Sequence, residues 1–117
     1  MTDQRKFSRV TFDAESILHV KGSALSAHLL DISLKGALLD IGAAAVPARN
    51  SEAVLELRLT GSDVVIRMNT RVARLENTHV GLRCESIDLD SMAHLRRLLE
   101  LNSGDPELVE RELSALI

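Results

Sequence analysis

Apolar residues recur at every second position through most of this chain, then at every third or fourth near its end. In residues 53–59, AVLELRL, Leu55, Leu57 and Leu59 take one parity and Glu56 and Arg58 the other. That alternation predicts a half-buried strand with both charged residues facing out. The same period appears in 15–20 (ESILHV), 24–32 (ALSAHLLDI), 36–41 (GALLDI), 64–75 (VVIRMNTRVARL) and 79–86 (HVGLRCES). Val64, Ile66, Met68 and Val72 share a parity, as do Val80, Leu82 and Cys84, and each set is expected to point inward. His28 alternates with Leu30 and Ile32, so it reads as a packed histidine. Turn residues separate the segments at Lys21-Gly22-Ser23, Ser33-Leu34-Lys35, Thr60-Gly61-Ser62-Asp63 and Asn77-Thr78, and Gly42 and Pro47 punctuate a loop over 42–51.

The helical period begins at Leu89 and continues through Met92, Leu95, Leu98 and Leu99, with Asp88 or Asp90 as N-cap and Asn102-Ser103-Gly104 as the stop. Asp105-Pro106 then predicts a second helix, a cap followed by proline at the first helical position. Leu108, Val109, Leu113 and Leu116 would form its apolar face. Six strands followed by helices make a mainly β, α+β fold. Short antiparallel strands without crossover helices close most economically as a small barrel, which removes exposed sheet edges. The predicted organisation is a single domain over 1–117: an N-terminal arm (1–10), a six-stranded antiparallel β-barrel (11–86) and C-terminal helices (87–117).

Composition narrows the function. The chain has 117 residues, a net charge of −3, one cysteine and two phenylalanines as its only aromatics. Its core must therefore be aliphatic. No window approaches the ~18 apolar residues of a membrane span, and the start lacks the apolar run of a signal peptide, so a cytoplasmic location is expected. Charge is unevenly spread: residues 1–9 hold three cations against Asp3, while 85–117 hold eight acids against Arg96, Arg97 and Arg111. A basic end on an acidic body argues against binding of polymeric nucleic acid, which needs a broad positive face. It suits a small anion gripped locally. His19, His28, His79, His94 and Cys84 show no metal-ligand spacing, so neither a metal nor a cofactor is expected. No nucleophile–base pair or G-x-S-x-G elbow appears, and an enzyme is not indicated.

Two short stretches carry the chemistry. The arm contains QRKFSR (4–9), with Arg5 and Arg9 in R-x-x-x-R spacing beside Gln4 and Lys6. The end of the second predicted strand is DISLKG (31–36), where Asp31 and Ser33, two apart, share a face of the strand. Gly36 permits a positive φ or a close backbone approach. Read alone, D-x-S-x-x-G is an ordinary strand-to-turn signature. Together, in this order on an all-β pattern of this length, the two motifs resemble the PilZ domain, whose members are receptors for the bacterial second messenger cyclic di-GMP.

The resemblance implies a barrel finished by a helix, with Arg5 and Arg9 of a flexible arm folding over the ligand. It implies that Asp31 and Ser33 contact a guanine, that Gly36 leaves room for the ligand, and that Gln4 and Lys6 are secondary contacts. Arginine suits this ligand because it forks onto a phosphate or a guanine edge and also lies flat on a base. Some single-domain members stack an aromatic from a later strand on the guanine, and this chain has no Trp or Tyr. Arg74, on the parity of Val72 and Met68, is the candidate to replace it at the barrel mouth. The function expected is a monomeric cyclic di-GMP receptor that signals through an effector protein; the alternative is a PilZ-like interaction module that binds no nucleotide.

Overall fold

The computed structural model describes residues 14–42 and 47–103. The arm carrying Gln4, Arg5, Lys6 and Arg9, and the helix predicted after Pro106, lie outside the described residues. Six strands, β1 (Ala14–Val20), β2 (Ser23–Ser33), β3 (Gly36–Asp40), β4 (Glu52–Leu59), β5 (Val65–Glu76) and β6 (His79–Ile87), precede the helix α1 (Leu89–Ser103). Every pairing is antiparallel, and the sheet closes on itself in the order β1-β2-β3-β6-β5-β4. The barrel consists of two three-stranded meanders, β1-β2-β3 and β4-β5-β6. Two long-range seams join them: β1 against β4, with Ala14 opposite Leu59, and β3 against β6, with Gly36 opposite Arg83.

Local chemistry sets the turns. Val20 pairs with Ser23 across Lys21 and Gly22, which have φ of 48° and 80°, the left-handed pair that tight hairpins require. Inside the barrel lie Leu18, Ile32, Leu39, Leu55, Leu57, Ile66, Met68, Val72 and Val80, each at most 1% exposed. The core is aliphatic throughout. The helix adds Leu95 and Leu99, four apart on one face and fully buried against that cluster, each burial being worth about 1.5–3 kcal/mol. Of the two candidate caps, Asp88 serves: its carboxylate accepts from Ser91 N at 2.9 Å. That bond holds the Asp88 carboxyl below its ordinary range. Ser91 Oγ in turn accepts from Arg67 N at 2.9 Å, joining the first helical turn to β5. No helix among the described residues is long and apolar enough to cross a membrane.

The ladder shifts register at Leu29/Asp31, Asn69/Thr70 and Val72/Arg74, and the first and last of these, with the buried Glu56, break the predicted alternation for physical reasons. Register shifts between Leu29 and Asp31, leaving Leu30 as the extra residue of a bulge. Leu29 and Ile32 therefore both face the core, and His28 is exposed rather than packed. Another bulge lies between Val72 and Arg74, so Val72 is fully buried while Arg74 points outward, off the parity the sequence suggested. The third exception is Glu56, on the outer face but only 5% exposed. His19 Nε2 at 2.9 Å, Arg58 Nε at 2.7 Å and Arg67 Nε at 3.9 Å surround its carboxylate. Cys84 is half-buried, and burial pushes its thiol up to about 11.

Candidate functional site

The bulges at Leu30 and Ala73 flank one cross-strand row. Asp31 is opposite Leu38, Leu38 opposite Gly81, and Gly81 opposite Arg74, so the row spans β2, β3, β6 and β5. A bulge immediately precedes the residue at each end, Asp31 and Arg74, and bulges characteristically re-aim side chains in this way. The next row runs Ser33, Gly36, Arg83 and Arg71. Between the two rows lies a cavity of about 220 Å³ lined by Asp31, Ser33, Gly36, Gly81, Arg74 and Arg83, among others. It is a shallow tray: Leu38 and Gly81 lie in its middle, Asp31 and Ser33 stand on the first meander with Lys35 in the turn beside them, and Arg74 and Arg83 stand on the second.

The four candidate residues within the described chain meet here. Asp31 and Ser33 are 7% and 4% exposed, so the acceptor side is set into the wall. Ser33 Oγ accepts from Lys35 N at 3.1 Å, and Lys35 O accepts from Cys84 N at 2.8 Å. These bonds tie the β2–β3 turn to β6 and fix the rim. Gly36 adopts no positive φ; its requirement is proximity, since a Cβ there would meet Leu82 O at 2.0 Å. Any side chain at this position would force apart the seam between β3 and β6.

Arg74 and Arg83 are both exposed, and neither makes an ion pair among the described residues. Arg83 and Gly81 escaped the sequence reading. Alternation with Leu82 already turned Arg83 outward, but only the register that sets it opposite Gly36 places it at the site. Gly81 carried a usable signal, because an isolated glycine inside a strand marks close approach. The chemistry available is recognition: a recessed carboxylate and hydroxyl, a flat floor, and two guanidiniums able to stack or donate in pairs.

Comparison with known proteins places the chain. The profile of the PilZ domain matches residues 3–101, and the protein belongs to the PilZ domain family. Its barrel is similar to the PilZ domain of CeSA from a cellulose-synthesizing bacterium (15% identity, 78% of this chain and 93% of that one, TM-score 0.61). It is similar also to the Bacillus subtilis inhibitor of motility MotI/DgrA (15% identity, 89% of this chain and 54% of that one, TM-score 0.69). A third likeness is to Escherichia coli YcgR, solved in complex with c-di-GMP (16% identity, 97% of this chain and 51% of that one, TM-score 0.65). The chain thus spans about half the length of the last two proteins.

Proposed function

We propose that this protein is a cyclic di-GMP receptor without catalytic activity, and that the tray holds one of the ligand's guanines. The observation that carries this reading is the tray's asymmetry. Recessed Asp31 and Ser33 stand on one side, with Lys35 in the turn beyond them, and on the other are two arginines outside any ion pair among the described residues. A carboxylate repels phosphate, so Asp31 acts on the base, accepting from guanine N1–H and the N2 amine. Arg74 lies against the base face, and Arg83 donates to a phosphate. Arg5 and Arg9 of the arm supply the remaining phosphate contacts, with Gln4 and Lys6 beside them. Ordering the arm costs roughly 1–2 kcal/mol per fixed residue, so several charge-assisted bonds must form together. The ordered arm is the surface that an effector protein in the cytoplasm reads.

Isothermal titration calorimetry with cyclic di-GMP and cyclic di-AMP tests this reading. Cyclic di-GMP should bind saturably. Asp31→Asn should weaken cyclic di-GMP by ~10-fold, about 1.4 kcal/mol, and cyclic di-AMP much less, because adenine lacks both donors. Absence of any cyclic di-GMP binding overturns the proposal in favour of an interaction module.

A further inference from the structure

Arg74 is an exposed side chain with four rotatable bonds, and such a side chain ordinarily samples many conformers. Its surroundings restrict that freedom. Directly opposite Arg74 on β6 stands Gly81. A Cβ built on Gly81 would lie 2.9 Å from Arg74 Cβ, 3.6 Å from Cδ and 3.8 Å from Cγ. Opposed Cβ atoms in a ladder normally stand about 4.5–5.5 Å apart, so no ordinary residue pair fits here. Arg74 Cγ and Cδ lie within van der Waals reach of the bare Gly81 position, and Arg74 Cβ stands where a Cβ at 81 would crowd it.

Gly36 differs, although it lines the same cavity. Its missing Cβ would strike backbone, the Leu82 carbonyl oxygen, so that glycine serves the seam. At Gly81 the three nearest neighbours of the missing Cβ, all within 4 Å, belong to Arg74. At Gly36 the obstacle is backbone, whereas at Gly81 it is the Arg74 Cβ, with Cγ and Cδ at van der Waals distance beyond it.

We propose that Gly81 is a positioning residue, whose bare backbone is the track that holds the Arg74 stem across β6 so that its guanidinium covers the tray. For ligand binding this rests on the cyclic di-GMP reading above. The track itself is a property of the free protein. Substitution at 81 lifts the stem off the sheet and turns the guanidinium out to solvent, which removes the stacking surface while Asp31, Ser33 and Arg83 stay in place.

Two measurements on the full chain test it. In the free protein, the Arg74 Nε–H group should show a high ¹H–¹⁵N heteronuclear NOE, which falls in Gly81→Ala to the level of a solvent-exposed arginine. Equal mobility in both proteins overturns the proposal whether or not any ligand binds. Calorimetry with cyclic di-GMP is then run as a double-mutant cycle. Gly81→Ala should weaken binding by ~10-fold, about 1.4 kcal/mol, in the wild-type background and by less than about twofold in Arg74→Ala. Its melting-temperature cost should persist in both backgrounds, because Arg74→Ala keeps the Cβ at position 74 that the new methyl at position 81 crowds. An equal affinity loss in both backgrounds would show that Gly81 acts through the backbone and would overturn the positioning role. If Gly81→Ala does not fold, the wild-type NOE decides: a mobile Arg74 beside Gly81 refutes the track. No binding by wild type, together with an ordered Arg74, rejects the ligand reading alone.

Discussion

Two of the concavities in the barrel wall differ in size and in how their arginines are held. A groove of about 890 Å³ runs over β1, β4, β5 and β6 beneath the segment 48–51. Three cations line it, Lys21, Arg49 and Arg71, and Arg71 is held by the fold: Nε donates to Glu85 at 2.8 Å, Nη1 to Asn50 O at 2.7 Å, and Nη2 lies 3.5 Å from Glu52. The tray, at about 220 Å³, is a quarter of that size. Yet its arginines make no ion pair among the described residues, and its acceptors are recessed. Arg71 and Arg83 are direct cross-strand partners, so adjacent residues on one sheet face serve opposite ends. Arg71 fastens the β4 approach to β5, whereas Arg83 makes no ion pair among the described residues.

The sharpest way to separate the two glycines of the tray is Gly36→Ala. Its Cβ would overlap a backbone oxygen that cannot rotate away, so destabilisation of about 3 kcal/mol or more is expected, the upper range for overpacking. Chemical denaturation measures it. A variant as stable as wild type would mean that the seam yields easily and that Gly36 serves the ligand alone.

The Arg71–Arg83 contrast comes next in size. Arg83→Ala should weaken cyclic di-GMP binding by ~10- to 100-fold, about 1.5–3 kcal/mol for a charge-assisted contact, with the melting temperature nearly unchanged. Arg71→Ala should do the reverse, lowering the melting temperature and leaving affinity within about threefold. Matched losses of affinity in both variants would erase the distinction between groove and tray.

The smallest effect concerns Glu56. Hydrogen bonds from Arg58 and then His19 hold its carboxyl below the ordinary value of 4.5. A carboxyl lowered in the folded state binds its proton more tightly in the unfolded chain. Its stabilisation is therefore complete above the ordinary range and is lost as pH falls through the folded value. Glu56→Gln should cost roughly 1 kcal/mol at neutral pH, and the gap to wild type should close as pH falls below the ordinary carboxyl value of 4.5. Asp40, Glu85 and Asp88 are also lowered and shape the same acid limb, so the difference between the two proteins is the quantity to read. Cyclic di-GMP affinity at neutral pH should not change.

How much of this was legible in the sequence follows from what alternation can carry. Strand existence was readable because one face of each strand must be apolar, and all six predicted segments became strands. Asp31, Ser33 and Gly36 were readable because local spacing alone places them together. Arg83 was not, since its partner Gly36 lies across a seam that only three-dimensional pairing defines. The bulges were also hidden: one extra residue, Leu30 or Ala73, leaves no compositional mark, yet it reverses every parity beyond it. The burial of Glu56 was hidden for another reason, because its cover comes from three strands at once.

If the tray holds cyclic di-GMP as proposed, the β3–β6 seam has a further consequence. Asp31 and Ser33 belong to one meander, Arg74 and Arg83 to the other, so neither meander alone carries the proposed site. A molecule seated in the tray therefore acts as a suture across the join, engaging only the closed barrel and no partly opened form. Its binding energy adds wholly to cooperativity: at a hundredfold excess over Kd, about 2.7 kcal/mol falls on the seam that Gly36 keeps narrow. Occupancy thereby becomes resistance to opening, a mechanical output that requires no rearrangement of the barrel itself.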